Sequence, residues 1–258
     1  MRRVLTFPCE GETLLGTLDE ADGDTGLLIV SGGNEIRAGA HRGMAMLAQA
    51  LAAQGVPVFR FDRRGVGDSS GENNGWERSG PDIAAAAAVF RAERPRLRRV
   101  LGFGNCNAAT ALALFGRAAG VEALVLANPW LGGNDALPPP GAIRARYVER
   151  LLDPAEWMRL LRGRVNLRKL VGGLREAARP ATEPPLAARI ASALSGVPLT
   201  LVLASGDRTA QTFSASWRGP IFDAIRPAAR VVEVDTASHS FVGHADRLER
   251  AVLDAVTR

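Results

Sequence analysis

Three widely separated side chains in this sequence are of the types that carry out acyl transfer together: Cys106, Asp207 and His239. Cys106 lies in "LGFGNCNAAT", where an apolar run meets a glycine and then gives way to helix-forming residues. Gly104 and Ala108 stand two residues to either side. The result is G-x-C-x-A, a variant of the G-x-S-x-G turn that lifts a nucleophile above the end of a strand. A nucleophile on that turn is held in strained backbone, so its close neighbours must be small. In this pattern His239 takes the thiol proton, Asp207 orients the imidazole, and the sulfur attacks an acyl carbon to give a thioester. The expected oxyanion donors are the backbone amide of Asn107 and that of Gly33 or Asn34, in "SGGNE". A cysteine bounded by glycine is by itself a weak signal; an acid and a base downstream, in that order, strengthen it. Asp235 and His244 are rivals. Asp235 follows a different strand and lies too near His239, and His244 falls at the start of a helix.

Cysteine rather than serine bears on the substrate. From a tetrahedral intermediate the better leaving group departs, and a thiolate, whose free pKa is about 8.5, leaves more easily than an alkoxide or an amine. Attack on a plain ester or amide therefore tends to reverse. Thioesters, lactones and activated esters go forward. The expected substrate is a small acyl compound of that kind, with hydrolysis as the first reading. A cysteine-dependent acyltransferase is the alternative, as is a catalytically silent binding partner.

These residues need elements to position them. Val4–Pro8 and Thr13–Leu18 read as a hairpin, and "TGLLIVSGGNE" as a buried strand ending in glycines. His41–Gln54 is an amphipathic helix, "VPVFRFD" a strand, and Pro81–Glu93 an alanine-rich helix. "RRVLGFG", the helix Cys106–Ala119 and "VEALVLANPW" continue the alternation, and "VPLTLVLASGD", "ARVVEVD" and a helix over Ala245–Val256 complete it. Such alternation predicts an α/β class, a mostly parallel doubly wound sheet, with function at the carboxyl ends of the strands. Residues 1–130 and 196–258 form the core in this reading. Residues 131–195 contain no credible strand and read as a helical cap insertion.

Composition removes other classes. The net charge is +5, almost all the basic residues are arginines, and Lys169 is the one lysine. These arginines are scattered and accompany no nucleic-acid motif, so the charge reads as a solvated surface and no nucleic-acid partner is expected. No run approaches a membrane span, and no apolar signal core follows the basic N-terminus, so the expected location is cytoplasmic. Cys9 and Cys106 are too far apart in sequence to suggest a disulfide framework, and His41, His239 and His244 have no ligand spacing. No metal and no cofactor are expected. The sequence does not indicate the oligomeric state.

Over its whole length the chain resembles the α/β-hydrolase superfamily, on "SGG", "FDRRGVGDSSG", "GNCNA", "SGDRT" and "SHSF". Within it the chain is most similar to the bacterial exosortase A system-associated hydrolases of type 1. That similarity rests on "SGGNEIRAGAHRG", "RFDRRGVGDSSG", "GNCNAA" and "YVERLLDPAEWMRLLRGRVNL". It implies an α/β-hydrolase fold and a setting in exopolysaccharide and protein-sorting systems, and it implies no substrate. Polymerising acyltransferases and dienelactone hydrolases on this fold resemble the chain in having cysteine at the elbow.

Overall fold

Strands β1 (Arg2–Cys9) and β2 (Glu12–Asp19) pair antiparallel, from Arg2 opposite Asp19 to Cys9 opposite Glu12. The computed structural model describes residues 1–132 and 185–258. Its further strands are β3 (Thr25–Val30), β4 (Val58–Phe61), β5 (Arg99–Asn105), β6 (Ala123–Ala127), β7 (Leu199–Ala204) and β8 (Arg230–Val234). All eight form one sheet in the order β1-β2-β4-β3-β5-β6-β7-β8. β2 joins β4 antiparallel, and every pairing from β4 to β8 is parallel. The order reverses around β3, which puts the loop after that strand beside the loop after β5. A crevice at such a reversal is where open α/β sheets bind ligands.

The helices are α1 (Gly43–Ala53), α2 (Gly80–Glu93), α3 (Asn107–Phe115), α4 (Leu186–Leu194), α5 (Arg208–Trp217) and α6 (Ala245–Val256). Strands β4, β6 and β7 are buried at every position, as expected of strands covered on both faces. On one face Leu27, Ile29, Leu101, Phe103 and Val125 pack with Met44, Leu47 and Leu51 of α1 and with Leu248 and Val252 of α6. On the other, Phe59 stacks on Phe90 of α2 with ring centroids 5.7 Å apart. The arrangement is the α/β-hydrolase fold, mostly parallel and flanked by helices on both faces.

Three element boundaries differ from the sequence reading. α1 starts at Gly43 instead of His41, because His41 and Arg42 take left-handed backbone (φ 51° and 60°) that no helix continues through. α3 starts at Asn107 and ends at Phe115, four residues short of Ala119, with Cys106 outside it as the cap. α5 has no counterpart among the elements read along the sequence. Its sequence "RTAQTFSASW" is mostly polar, yet Ala210, Phe213 and Trp217 recur at helical spacing and are buried. The expected cap, residues 131–195, lies outside the described residues apart from 131–132 and 185–195. Within the latter stretch α4 buries Ile190 and Leu194. Among the described residues no helix is long and apolar enough to cross a membrane.

Candidate active site

Cys106 sits between β5 and α3 with φ 60° and ψ −127°, a conformation that costs a non-glycine residue free energy and persists only where its surroundings impose it. The surroundings here are backbone bonds on both sides. Its N–H donates to the Ala127 carbonyl at 3.0 Å, and its carbonyl accepts from the N–H groups of Thr110 and Trp130, each at 3.3 Å. The small neighbours have a direct reason. A Cβ at Gly104 would lie 2.8–2.9 Å from backbone atoms of Ala108 and Ala109, so strand and helix could not meet as they do.

Asp207 follows β7 and caps α5, its Oδ2 accepting from the Ala210 N–H at 2.9 Å. The same Oδ2 lies 3.1 Å from His239 Nδ1. One carboxylate oxygen thus closes a helix and holds the imidazole. With Nδ1 committed to Asp207, Nε2 is the ring nitrogen left for Cys106. The hydrogen bond with Cys106 is the main reason His239 titrates high, raised from 6.5 to about 9; burial opposes the rise and Asp207 supports it. The structure therefore brings Cys106, Asp207 and His239 together. It does not bring the rivals there: Asp235 bonds the Ser205 hydroxyl at 3.2 Å, and His244 stands at the N-cap of α6. The doubled bond makes a prediction. Asp207→Ala loses a helix cap and destabilises by about 1–2 kcal/mol. Asp207→Asn, with its amide oxygen in place of Oδ2, keeps the cap but loses the charge facing His239, and should lose less stability than Asp207→Ala in urea unfolding.

The loop after β3 meets the elbow closely. A Cβ on Gly32 would fall 2.6 Å from Asn107 Oδ1 and 3.0 Å from the Asn105 carbonyl, so only glycine permits the approach. The Gly33 N–H, one of the expected oxyanion donors, donates to Asn107 Oδ1 at 2.8 Å. The Asn34 side chain accepts from Asn73 Nδ2 at 2.8 Å. Beneath this loop Arg63, 3% exposed, donates to the carbonyls of Ser31 (3.2 Å), Gly33 and Gly75 (3.2 Å). Burial lowers its pKa, as expected of a cation whose partners here are backbone carbonyls.

Arg63 did not stand out in the sequence, where "FDRRG" serves only the family resemblance, together with its neighbours Asp62 and Arg64. Those neighbours are architectural. Asp62 accepts from the backbone N–H groups of Arg37 (2.5 Å) and Asp68 (3.1 Å), and Arg64 Nε pairs with Asp82 at 2.5 Å. Asn105 and Asn128 were missed as well; both reach the His239 carbonyl, at 3.0 and 3.1 Å. A polar residue closing each of two buried strands was the available signal. Cys9 is buried against Asp82 at 3.4 Å and its thiol is pushed up to about 11, chiefly by burial, which leaves it unreactive. Among the described residues no three His, Cys, Asp or Glu side chains form a group that could hold a metal ion.

A family model described as "Alpha/beta hydrolase family" matches residues 27–251. The chain is similar in structure to the Pyrococcus furiosus esterase Pf2001 (TM-score 0.68, 16% identity, covering 100% of this chain and 92% of that one). It is similar to the alpha/beta hydrolase GrgF from Penicillium sp. sh18 (TM-score 0.67, 18% identity, 100% and 98%). A further similar structure is the thioesterase domain from the curacin biosynthetic pathway (TM-score 0.59, 14% identity, 98% and 99%). At these identities the likeness concerns the fold. A comparison with curated proteins found no match.

Proposed function

The chain belongs to the alpha/beta hydrolase family, and from that premise we propose that it hydrolyses a thioester, lactone or activated ester through a Cys106–His239–Asp207 triad. The observation that carries the reading is the strained Cys106 at the strand-to-helix turn, beside an imidazole that it makes titrate high and whose Nδ1 lies 3.1 Å from Asp207. His239 holds the proton, and the sulfur attacks the acyl carbon as a thiolate. A C–S bond forms and the carbonyl π electrons move to oxygen. As the intermediate collapses, the bond to the leaving group breaks and His239 delivers its proton to that group. Water then attacks the thioester, His239 takes its proton, and the thiolate departs. The N-terminal end of α3 favours negative charge on sulfur and on the oxyanion alike. The esterase and thioesterase names of two structural neighbours agree in reaction class. The motifs that resemble those of exosortase A system-associated hydrolases support a role beside exopolysaccharide or sorting machinery.

The test is a panel of small p-nitrophenyl esters and acyl thioesters, followed by turnover and by intact mass of the reduced protein. The expected result is an added acyl mass on the peptide containing Cys106, released at the rate of turnover. An acyl mass that forms but clears only with an added alcohol or amine reassigns the protein as an acyltransferase. No adduct and no turnover across the panel favour a binding role instead.

The second oxyanion donor makes its own prediction. In the resting site the Gly33 N–H already has an acceptor in Asn107 Oδ1, so a substrate oxygen must displace it. Arg63 holds the same loop through its carbonyls and keeps it in place without Asn107. Asn107→Ala is therefore expected to raise kcat/KM about fivefold, the equivalent of one ordinary hydrogen bond of about 1 kcal/mol. A fall in kcat/KM would instead make Asn107 the anchor of the loop.

A further inference from the structure

Asn128 is the first residue after β6, fully buried, with φ 40°. Its carboxamide reaches three separate segments. Oδ1 accepts from the N–H of Ala204, the last residue of β7, at 2.9 Å. Nδ2 donates to Asn105 Oδ1 at 3.2 Å and to the His239 carbonyl at 3.1 Å. Asn105 Nδ2 donates to that same carbonyl at 3.0 Å. Each of these segments leads directly to one member of the triad. Asn105 precedes Cys106. Ala204 lies three residues before Asp207, whose N–H donates to the Ala204 carbonyl at 3.0 Å. The third is His239 itself.

The chemistry of the site selects asparagine. The Ala204 N–H requires an oxygen and the His239 carbonyl requires a donor, which fixes the orientation of the amide and uses both of its Nδ2 hydrogens. An apolar side chain would leave buried donors and acceptors unpaired. Aspartate would set an oxygen against the His239 carbonyl. The backbone also favours asparagine, because short polar side chains tolerate left-handed φ better than other non-glycine residues.

We propose that Asn128, with Asn105, is a positioning residue that fixes the imidazole of His239 by holding the backbone carbonyl of that residue between the strands carrying Cys106 and Asp207. The inference rests on the triad reading above. It extends that reading to a residue that touches no substrate, and it assigns the clamp a role in catalysis beyond closing the core.

The test reads alkylation of Cys106 by iodoacetamide between about pH 5 and 9, followed on the Cys106 peptide by mass. It needs no substrate. Wild type, His239→Ala, Asn128→Gly and Asn105→Ala are compared after circular dichroism shows each to be folded. Asn128→Gly deletes the donors while suiting the left-handed backbone; Asn105→Ala removes one of the two donors and keeps the proposal testable if the first variant fails to fold. In wild type the imidazole beside Cys106 raises the alkylation rate, and His239→Ala loses that enhancement. Asn128→Gly is expected to lose about tenfold of the rate near pH 5.5, and Asn105→Ala about threefold. On the best panel substrate, kcat in Asn128→Gly should fall by a similar factor with KM within about twofold. A His239-dependent wild-type profile that both variants leave unchanged overturns the clamp alone. A wild-type profile already equal to that of His239→Ala overturns the triad, and the clamp with it.

Discussion

Replacing Cys106 by alanine is expected to abolish the acyl adduct and to reduce turnover of the best substrate by about 10⁴-fold or more. What survives is whatever the oxyanion donors and binding alone provide. The fold should not suffer. Cys106 is only partly buried, and its backbone is held by Ala127, Thr110 and Trp130 whatever its side chain. Cys106→Ser sharpens the result. It keeps the strained turn and the partner histidine but replaces the thiol with a hydroxyl that needs a base at the moment of attack. Thioester turnover should then fall by about a hundredfold or more. Equal activity in the serine variant would mean that the leaving-group argument for cysteine is wrong, even if the triad is right.

Removing His239 should cost about a thousandfold or more in kcat/KM, and the pH profile should identify the cause. His239 is raised to about 9 by its bond to Cys106 and by Asp207, against burial. The imidazolium is therefore present at neutral pH, and kcat/KM in wild type should decline as pH rises through about 9, where the proton for the leaving group is lost. The value belongs to the Cys–His pair rather than to one ring alone. In His239→Ala that decline disappears. Stability follows the same sign. A folded pKa above the ordinary 6.5 contributes stability that is complete below pH 6.5 and lost as pH climbs through about 9. Thermal melting from pH 6.5 to 10 should fall more steeply in wild type than in His239→Ala. Parallel slopes would remove His239 from the account.

Much of this was legible in the sequence, for reasons that can be stated residue by residue. Buried parallel strands are continuous apolar runs, so "LTLVLA" and "ALVLA" could be read as strands without context. The elbow was legible because the close packing of β5 on α3 forces glycine at position 104. Local signals failed where the deciding contact is remote. Nothing near His41 or Arg42 announces that both turn left-handed, and α5 is a polar segment made helical by the burial of Phe213 and Trp217, which stack with centroids 5.7 Å apart. The same holds at the site. Cys106, Asp207 and His239 are residue types that chemistry singles out. Asn105, Asn128 and Arg63 act through backbone carbonyls brought to them by distant parts of the chain, and a one-dimensional pattern does not contain those partners. Asp207 serves at once as helix cap and as acid, since one oxygen faces both the Ala210 N–H and the His239 ring.

That shared oxygen bears on descent. A lineage of this protein that lost its chemistry would still need Asp207 to close α5, so selection for folding would retain the acid long after the reaction had gone. The ring of His239, with its side chain 36% exposed and facing Asp207 and Cys106, caps no helix, and the stability it adds comes from the same pairing that serves the reaction. In relatives of this chain, an intact aspartate at this position is weak testimony that the enzyme is alive. A lost histidine beside it would mark one that has retired.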